Sequence, residues 1–162
     1  MRNVKDNANY VNYDPLTIGG KSIPELRYAD DTVLLSTSKE GLENLIMTTK
    51  KHSEDQHLYL NTQKTKIMST DKAKGSPNIQ VNNEELQCVE SYEYLGSIIN
   101  NNGDCSIEIS RRLAIAIKKL NTLKNMWQST SKILKLKILR SYIFKVATYG
   151  CESWTMESWA HI

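Results

Sequence analysis

Leu26-Arg27-Tyr28-Ala29-Asp30-Asp31-Thr32-Val33-Leu34-Leu35 is the stretch from which the fold and the chemistry are read. Leu26 and Tyr28 alternate with polar residues, and Thr32 to Ser36 is an apolar run of the buried-strand kind. Ala29-Asp30-Asp31 lies between them, so the pattern predicts strand, tight turn, strand, with the acids at or beside the turn. Adjacent carboxylates repel each other, and a hairpin tip has little structural use for two. Hard carboxylate oxygens are what hydrated magnesium prefers. Two acids on a turn, beside a third from elsewhere, hold two ions about 3.5–4 Å apart for in-line phosphoryl displacement. An ordinary Asp-Asp turn is the competing reading for the pair taken alone.

Working outward, Ile18-Gly19-Gly20-Lys21-Ser22-Ile23 carries a hairpin signal, and 1–17 reads as a poorly ordered lead-in. Ser38 is a good N-cap and Glu40 suits a first helical turn; Leu42, Leu45, Ile46 and Thr49 then recur at helical spacing, predicting a helix over 39–54. Leu58–Leu60 and Lys66–Met68 are short strand candidates. Ile79–Val81 with Leu86–Val89 is a second hairpin, and Tyr92 to Ile99 a last strand. After the turn at 100–104, capped by Asp104 or Ser106, the period changes. Ile109, Leu113, Ala116, Ile117, Leu120, Leu123 and Trp127 share one helical face; Ile133, Leu136, Leu139, Ile143, Val146 and Ala147 share another, ended by Gly150. The expected class is therefore α+β with a helical C-terminal part. Met47, Met68 and Met126 read as core, Cys88 as buried in a strand, and Trp127, Trp154 and Trp159 as packing residues.

The 162 residues suit one domain, or one with a helical appendage, and 40% hydrophobic with 24% charged residues is ordinary for a globular chain. The longest apolar run, Leu113 to Ile117, is far short of the roughly 20 residues a membrane helix needs, so no membrane partner is expected. Cys88, Cys105 and Cys151 form no CxxC pair, which predicts a reduced intracellular chain, nuclear or cytoplasmic. The net charge of +3 is polarised: between 107 and 150 ten basic residues face one acid, Glu108. Such a block is either a polyanion surface or a pair of solvated helices.

Tyr28-Ala29-Asp30-Asp31 resembles the YxDD box of reverse transcriptases, and the longer string resembles its form in non-LTR (LINE-type) retrotransposons. Further motifs follow in the same order. Asn61-Thr62-Gln63-Lys64-Thr65-Lys66 resembles the next palm motif. Tyr92-Glu93-Tyr94-Leu95-Gly96 resembles the "YLG" primer-grip hairpin, Glu108 to Arg112 the start of the thumb, and Tyr149-Gly150-Cys151-Glu152-Ser153-Trp154 the segment after it.

The resemblance implies a partial polymerase palm over 18–104, a basic helical thumb over 105–150 and a tail over 151–162. It implies that Asp30 and Asp31 are catalytic metal ligands for Mg2+ or Mn2+. Lys64 would be the palm lysine that helps protonate the leaving pyrophosphate, with Lys66 as the alternative. Tyr28 and Ala29 would lie against primer or template, and Tyr94, Leu95 and Gly96 would position the primer. Arg111, Arg112, Lys118 and Lys119 would contact phosphates of an RNA–DNA hybrid formed by RNA template and DNA primer, with dNTP as substrate of the complete enzyme. Only 29 residues precede Asp30, and no upstream acid sits in an apolar strand. The fingers and the first catalytic Asp are therefore expected to be missing, the two-ion site incomplete and the fragment inactive alone. A non-enzymatic, basic nucleic-acid-binding remnant is the alternative.

Overall fold

The computed structural model describes residues 13–71, 77–127 and 129–155. The chain forms two compact units that divide between Val89 and Glu90. Both units combine helix with two-stranded ladders, and the class is α+β.

In the first unit, β1 (Thr17–Ile18) and β2 (Lys21–Ser22) close a hairpin over Gly19 and Gly20, both in the left-handed region. β3 (Glu25–Tyr28) and β4 (Asp31–Leu34) form the second hairpin, extended by the Leu35 amide donating to Pro24 O at 2.7 Å. α1 (Lys39–Glu54) starts where expected: the Ser38 hydroxyl accepts from the Gly41 amide at 3.0 Å, Glu40 occupies the first turn, and Lys51 and His52 face the negative end of the dipole. β5 (Lys66–Ile67), β6 (Gln80–Val81), β7 (Glu84–Glu85) and β8 (Gln87–Cys88) follow. β6 and β7 pair across Asn82-Asn83, two asparagines with positive φ in the primed-turn manner, while β5 pairs β8 in parallel.

The core of this unit is Ile46, Ile67, Ile79, Val81 and Leu86, with Leu34, Leu42 and Leu60 packed on it. Three expectations change here. The hairpin expected from Ile79–Val81 with Leu86–Val89 closes on Glu84–Glu85 instead, directly after the Asn82-Asn83 turn, and Gln87–Cys88 is left to pair with β5. Leu58–Leu60 is not a strand; Leu58 and Tyr59 face solvent and only Leu60 reaches the core. Met47 is exposed, not core. Of the lead-in, 1–12 lies outside the described residues, whereas 13–17 is tied down. The Asp14 carbonyl accepts from the Thr37 amide at 2.9 Å and the Ser36 hydroxyl at 3.0 Å, its carboxylate accepts from the Ser38 hydroxyl, and Pro15 bridges Ser36. Gly41 makes that closeness possible: a Cβ there would stand 2.5 Å from Ser36 Oγ and 2.7 Å from Asp14 N.

In the second unit the stretch 92–99 is two strands, not one. β9 (Ser91–Tyr94) and β10 (Ser97–Asn100) pair antiparallel around Leu95-Gly96. The sequence reading grouped this segment with the preceding strands; it belongs to the unit of the helices, because its turn and the Ile98 amide bond to groups that the helices supply. Asp104 does the capping of the next element, its carboxylate accepting from the Ser106 amide at 2.9 Å and from the Ser106 hydroxyl. α2 (Ser106–Thr122), α3 (Lys124–Trp127), α4 (Lys132–Ile138), a π-helical turn (Leu139–Ile143) and α5 (Phe144–Ala147) follow, then a short 3-10 turn at Cys151–Ser153.

The expected apolar stripes hold in part. On α2, Ala116 is buried, but Leu113 and Ile117 are exposed, and the most buried side chain besides it is that of Glu108. On the next stripe, Ile143 is buried and Leu139, Val146 and Ala147 are half-buried, while Ile133 and Leu136 are exposed. The π-turn shifts the phase between the two halves of that helix, so one face does not run through both. Met126 is exposed; Met68, Cys88, Trp127 and Trp154 are half-buried; Trp159 lies outside the described residues.

Candidate active site and nucleic-acid interface

Tyr28 pairs with Asp31 in the β3–β4 register, which leaves Ala29-Asp30 as a two-residue turn. Ala29 has φ +50° and Asp30 does not share the positive sign, the pattern of a II′ turn, whose first central position ordinarily takes glycine. An alanine there is strained, and such strain concentrates at sites of function. The tip is open: Tyr28, Ala29, Asp30 and Asp31 are all exposed. Arg27, the nearest cation in sequence, does not neutralise the pair; its guanidinium is held by Glu25 at 2.8 and 2.9 Å. Two adjacent hard carboxylates match the way Mg2+ is usually bound, by one or two acids with waters and substrate phosphates filling the rest. Among the described residues no third His, Cys, Asp or Glu joins them.

The two lysine candidates differ. The Lys66 ammonium, on β5, donates to Gln87 Oε1 of β8 at 2.5 Å. Lys64 lies in the turn before it, exposed, its amide bonded to the Asn61 side chain at 3.0 Å.

In the second unit, Leu95 and Gly96 have φ +49° and +77°, a type I′ pair. This turn is gripped from two places. The Gly96 carbonyl accepts from Arg111 Nη2 at 2.6 Å and also from Arg112 Nη2. The Leu95 carbonyl accepts from the Tyr149 hydroxyl at 2.8 Å, and the Arg112 guanidinium lies 4.3 Å over the Tyr149 ring. Glu108 anchors both arginines, bonding Arg111 Nε at 2.8 Å and Arg112 Nε at 2.7 Å, and it accepts the Ile98 amide at 3.0 Å. Burial opposes ionisation of Glu108, but hydrogen bonds from Arg111, the Ile98 amide and Arg112 outweigh it and hold the carboxyl down at about 2. Gly150, at φ +75°, completes the fit: a Cβ there would stand 2.8 Å from Ser97 Oγ.

The sequence-predicted residues thus fall into two groups. Tyr28, Ala29, Asp30 and Asp31 share one hairpin tip; Tyr94, Leu95, Gly96, Arg111 and Arg112 surround another. Lys118 and Lys119 lie further along α2, exposed. Sequence reasoning placed Glu108 and Tyr149 in motifs and gave Gly150 the end of a helix, but gave none of the three a part at this turn. The spacing of Glu108 to Arg111 and Arg112, three and four residues apart on a helix, was the available signal for the first.

Residues 8–99, more than half of the chain, match the family described as reverse transcriptase (RNA-dependent DNA polymerase). The chain belongs to the reverse transcriptase family. An uncharacterized transposon-derived protein of Caenorhabditis elegans is 31% identical over 147 residues, covering 86% of this chain and 52% of that protein. The chain therefore spans about half the length of the curated relative it matches. No solved structure matches it. Reverse transcriptases in general are RNA-directed DNA polymerases that use divalent metals and act on a template and primer. No helix among the described residues of this family member is long and apolar enough to cross a membrane.

Proposed function

We propose that this chain is the portion of a non-LTR retrotransposon reverse transcriptase that carries the catalytic YADD turn in a partial palm, followed by a helical thumb. The observation that supports this most is the strained, solvent-facing turn at Ala29-Asp30, with two carboxylates and no neutralising cation from Arg27. Asp30 and Asp31 are the metal ligands, for Mg2+ or Mn2+. When bound, the metal supplies Lewis-acid polarisation of phosphate oxygens and a more acidic primer hydroxyl. Tyr28 and Ala29 border the primer terminus. Lys64 is the better palm lysine, because Lys66 is engaged with Gln87. Tyr94, Leu95 and Gly96 present the primer strand, and Lys118 and Lys119 reach phosphates of the RNA–DNA hybrid. An intracellular setting suits three free cysteines.

Two acids do not complete a two-ion site, and among the described residues no third joins them, so the isolated chain should not extend a primer. Mn2+ titration followed by EPR tests the ligand pair: one weak ion should bind, and Asp30→Asn with Asp31→Asn should abolish it. Undiminished binding in that double variant rejects the YADD assignment. Primer extension on poly(rA)/oligo(dT), lost in Asp30→Asn, would show instead that the chain is active alone. The second reading, a non-enzymatic nucleic-acid-binding remnant, draws on the exposed Lys118, Lys119, Lys124, Lys132 and Lys137; it predicts hybrid binding without any Mn2+ site.

A further inference from the structure

We propose that Glu108, Arg111, Arg112 and Tyr149 form a clasp that fixes the Leu95-Gly96 turn for a primer end, so that the two arginines are positioning residues and not phosphate ligands. The clasp rests on the reading of this hairpin as the primer-facing element. Its own basis is geometric. A type I′ turn with a leucine at its first position costs conformational energy, and both carbonyls of the turn point at donors supplied by other elements. Each guanidinium is engaged on several sides at once. Arg112 spans Glu108, the Gly96 carbonyl and the Tyr149 ring, with 11% of its side chain exposed. Arg111 spans Glu108, the Gly96 carbonyl and, at 3.9 Å, Glu93. A phosphate competing for either would have to displace a buried carboxylate from a charge-assisted pair. The free ends of both carbonyl dipoles are likewise spent inside the protein, which leaves the Leu95 side chain and the Gly96 backbone as the surface of the turn. Glycine at that point allows a strand to approach closely.

The roles separate by salt dependence. Each phosphate contact contributes about −0.9 to the slope of log affinity against log salt on a duplex. A positioning residue changes affinity without changing that slope. The full chain is titrated by fluorescence anisotropy with an RNA–DNA hybrid bearing a recessed DNA 3′ end, and with its blunt counterpart, from about 50 to about 200 mM salt. Arg111→Ala should keep the slope, while Lys118→Ala with Lys119→Ala should flatten it by up to about 1.8. Tyr149→Phe, which removes one oxygen and leaves the packing intact, should weaken the recessed hybrid about fivefold more than the blunt one, the loss expected for one neutral hydrogen bond. A slope that flattens by about 0.9 in Arg111→Ala, or a Tyr149→Phe effect that is absent or equal on both hybrids, overturns the clasp while leaving the primer-facing reading intact. Failure of the wild-type chain to bind either hybrid overturns that reading and the clasp with it.

Discussion

A single carboxylate, Glu108, shows how much one residue can organise. It is 3% exposed, a placement that a glutamate tolerates only with its charge matched, and two guanidinium groups and a backbone amide match it. Its pKa falls from 4.5 to about 2 on folding. A depressed folded value means that the contribution is fully present above about pH 4.5 and is lost as pH falls toward 2. It amounts to on the order of 3 kcal/mol. Glu108→Gln should therefore unfold more easily at neutral pH and show a flatter acid limb between those two values, read by urea midpoints across pH. Gly150 is the second residue of consequence. Gly150→Ala should cost about 1–3 kcal/mol, from the left-handed φ and the approach to Ser97. Adding Ser97→Ala should restore only the steric share, a partial recovery visible in thermal denaturation.

Among the elements, the sequence was most readable where the signal is local. Ser38, Glu40 and the stripe at Leu42, Leu45 and Ile46 sufficed for α1, and its observed bounds coincide with the expected ones. The hairpin that carries Asp30 and Asp31 was equally plain, since two strands and a tip fit in ten residues. The parallel pairing of β5 with β8 was not legible: strands of two residues have no periodicity, and their partners lie about twenty positions apart in the chain. Within the candidate site, charge counting treated Arg111 and Arg112 as free cations. Counting charges ignores which of them meet a buried acid, and in that count Glu108 was simply the exception in a basic block. Strand patterning alone read Tyr92 to Ile99 as one strand, because Leu95 is a poor residue for a type I′ turn and no Asn-Gly punctuation marked it; only the resemblance to the YLG hairpin pointed to β9–β10. That misfit is itself testable. Leu95→Asn should stabilise the unit by about 0.5–1 kcal/mol, as the preferred turn residue. If the leucine faces primer, the same change should weaken binding to the recessed hybrid, a gain in melting temperature set against a loss in affinity.

For the molecule as a whole, charge and exposed apolar area set the behaviour in solution. Lys118, Lys119, Lys124, Lys132, Lys137, Arg140 and Lys145 are all exposed. If about four to six reach phosphates together, affinity for a hybrid should fall by roughly two to three decades between 50 and 200 mM salt. It should do so about equally for unrelated sequences, because phosphate contacts position without specifying; competition between two hybrids of different sequence checks this. The β3–β4 hairpin stands as a two-stranded sheet with Leu26 and Tyr28 on its open surface. Unpaired strand edges with apolar side chains invite pairing with other chains. The purified chain should self-associate at tens of micromolar, and Leu26→Lys should shift it toward monomer in light scattering; a wild-type monomer at that concentration would contradict the expectation.

The knot at Asp14 has a mechanical meaning. Its carbonyl and carboxylate join three consecutive residues, Ser36, Thr37 and Ser38, directly ahead of α1. Tension applied from the N-terminal side is thus delivered through Asp14 to the start of that helix, and the β1 and β2 hairpin lies within the closed loop, shielded from the load. Asp14→Ala, by removing the carboxylate link to the helix cap, would lower the force at which this loop opens. The rest of the first unit, whose core is Ile46, Ile67, Ile79, Val81 and Leu86, would yield later and separately.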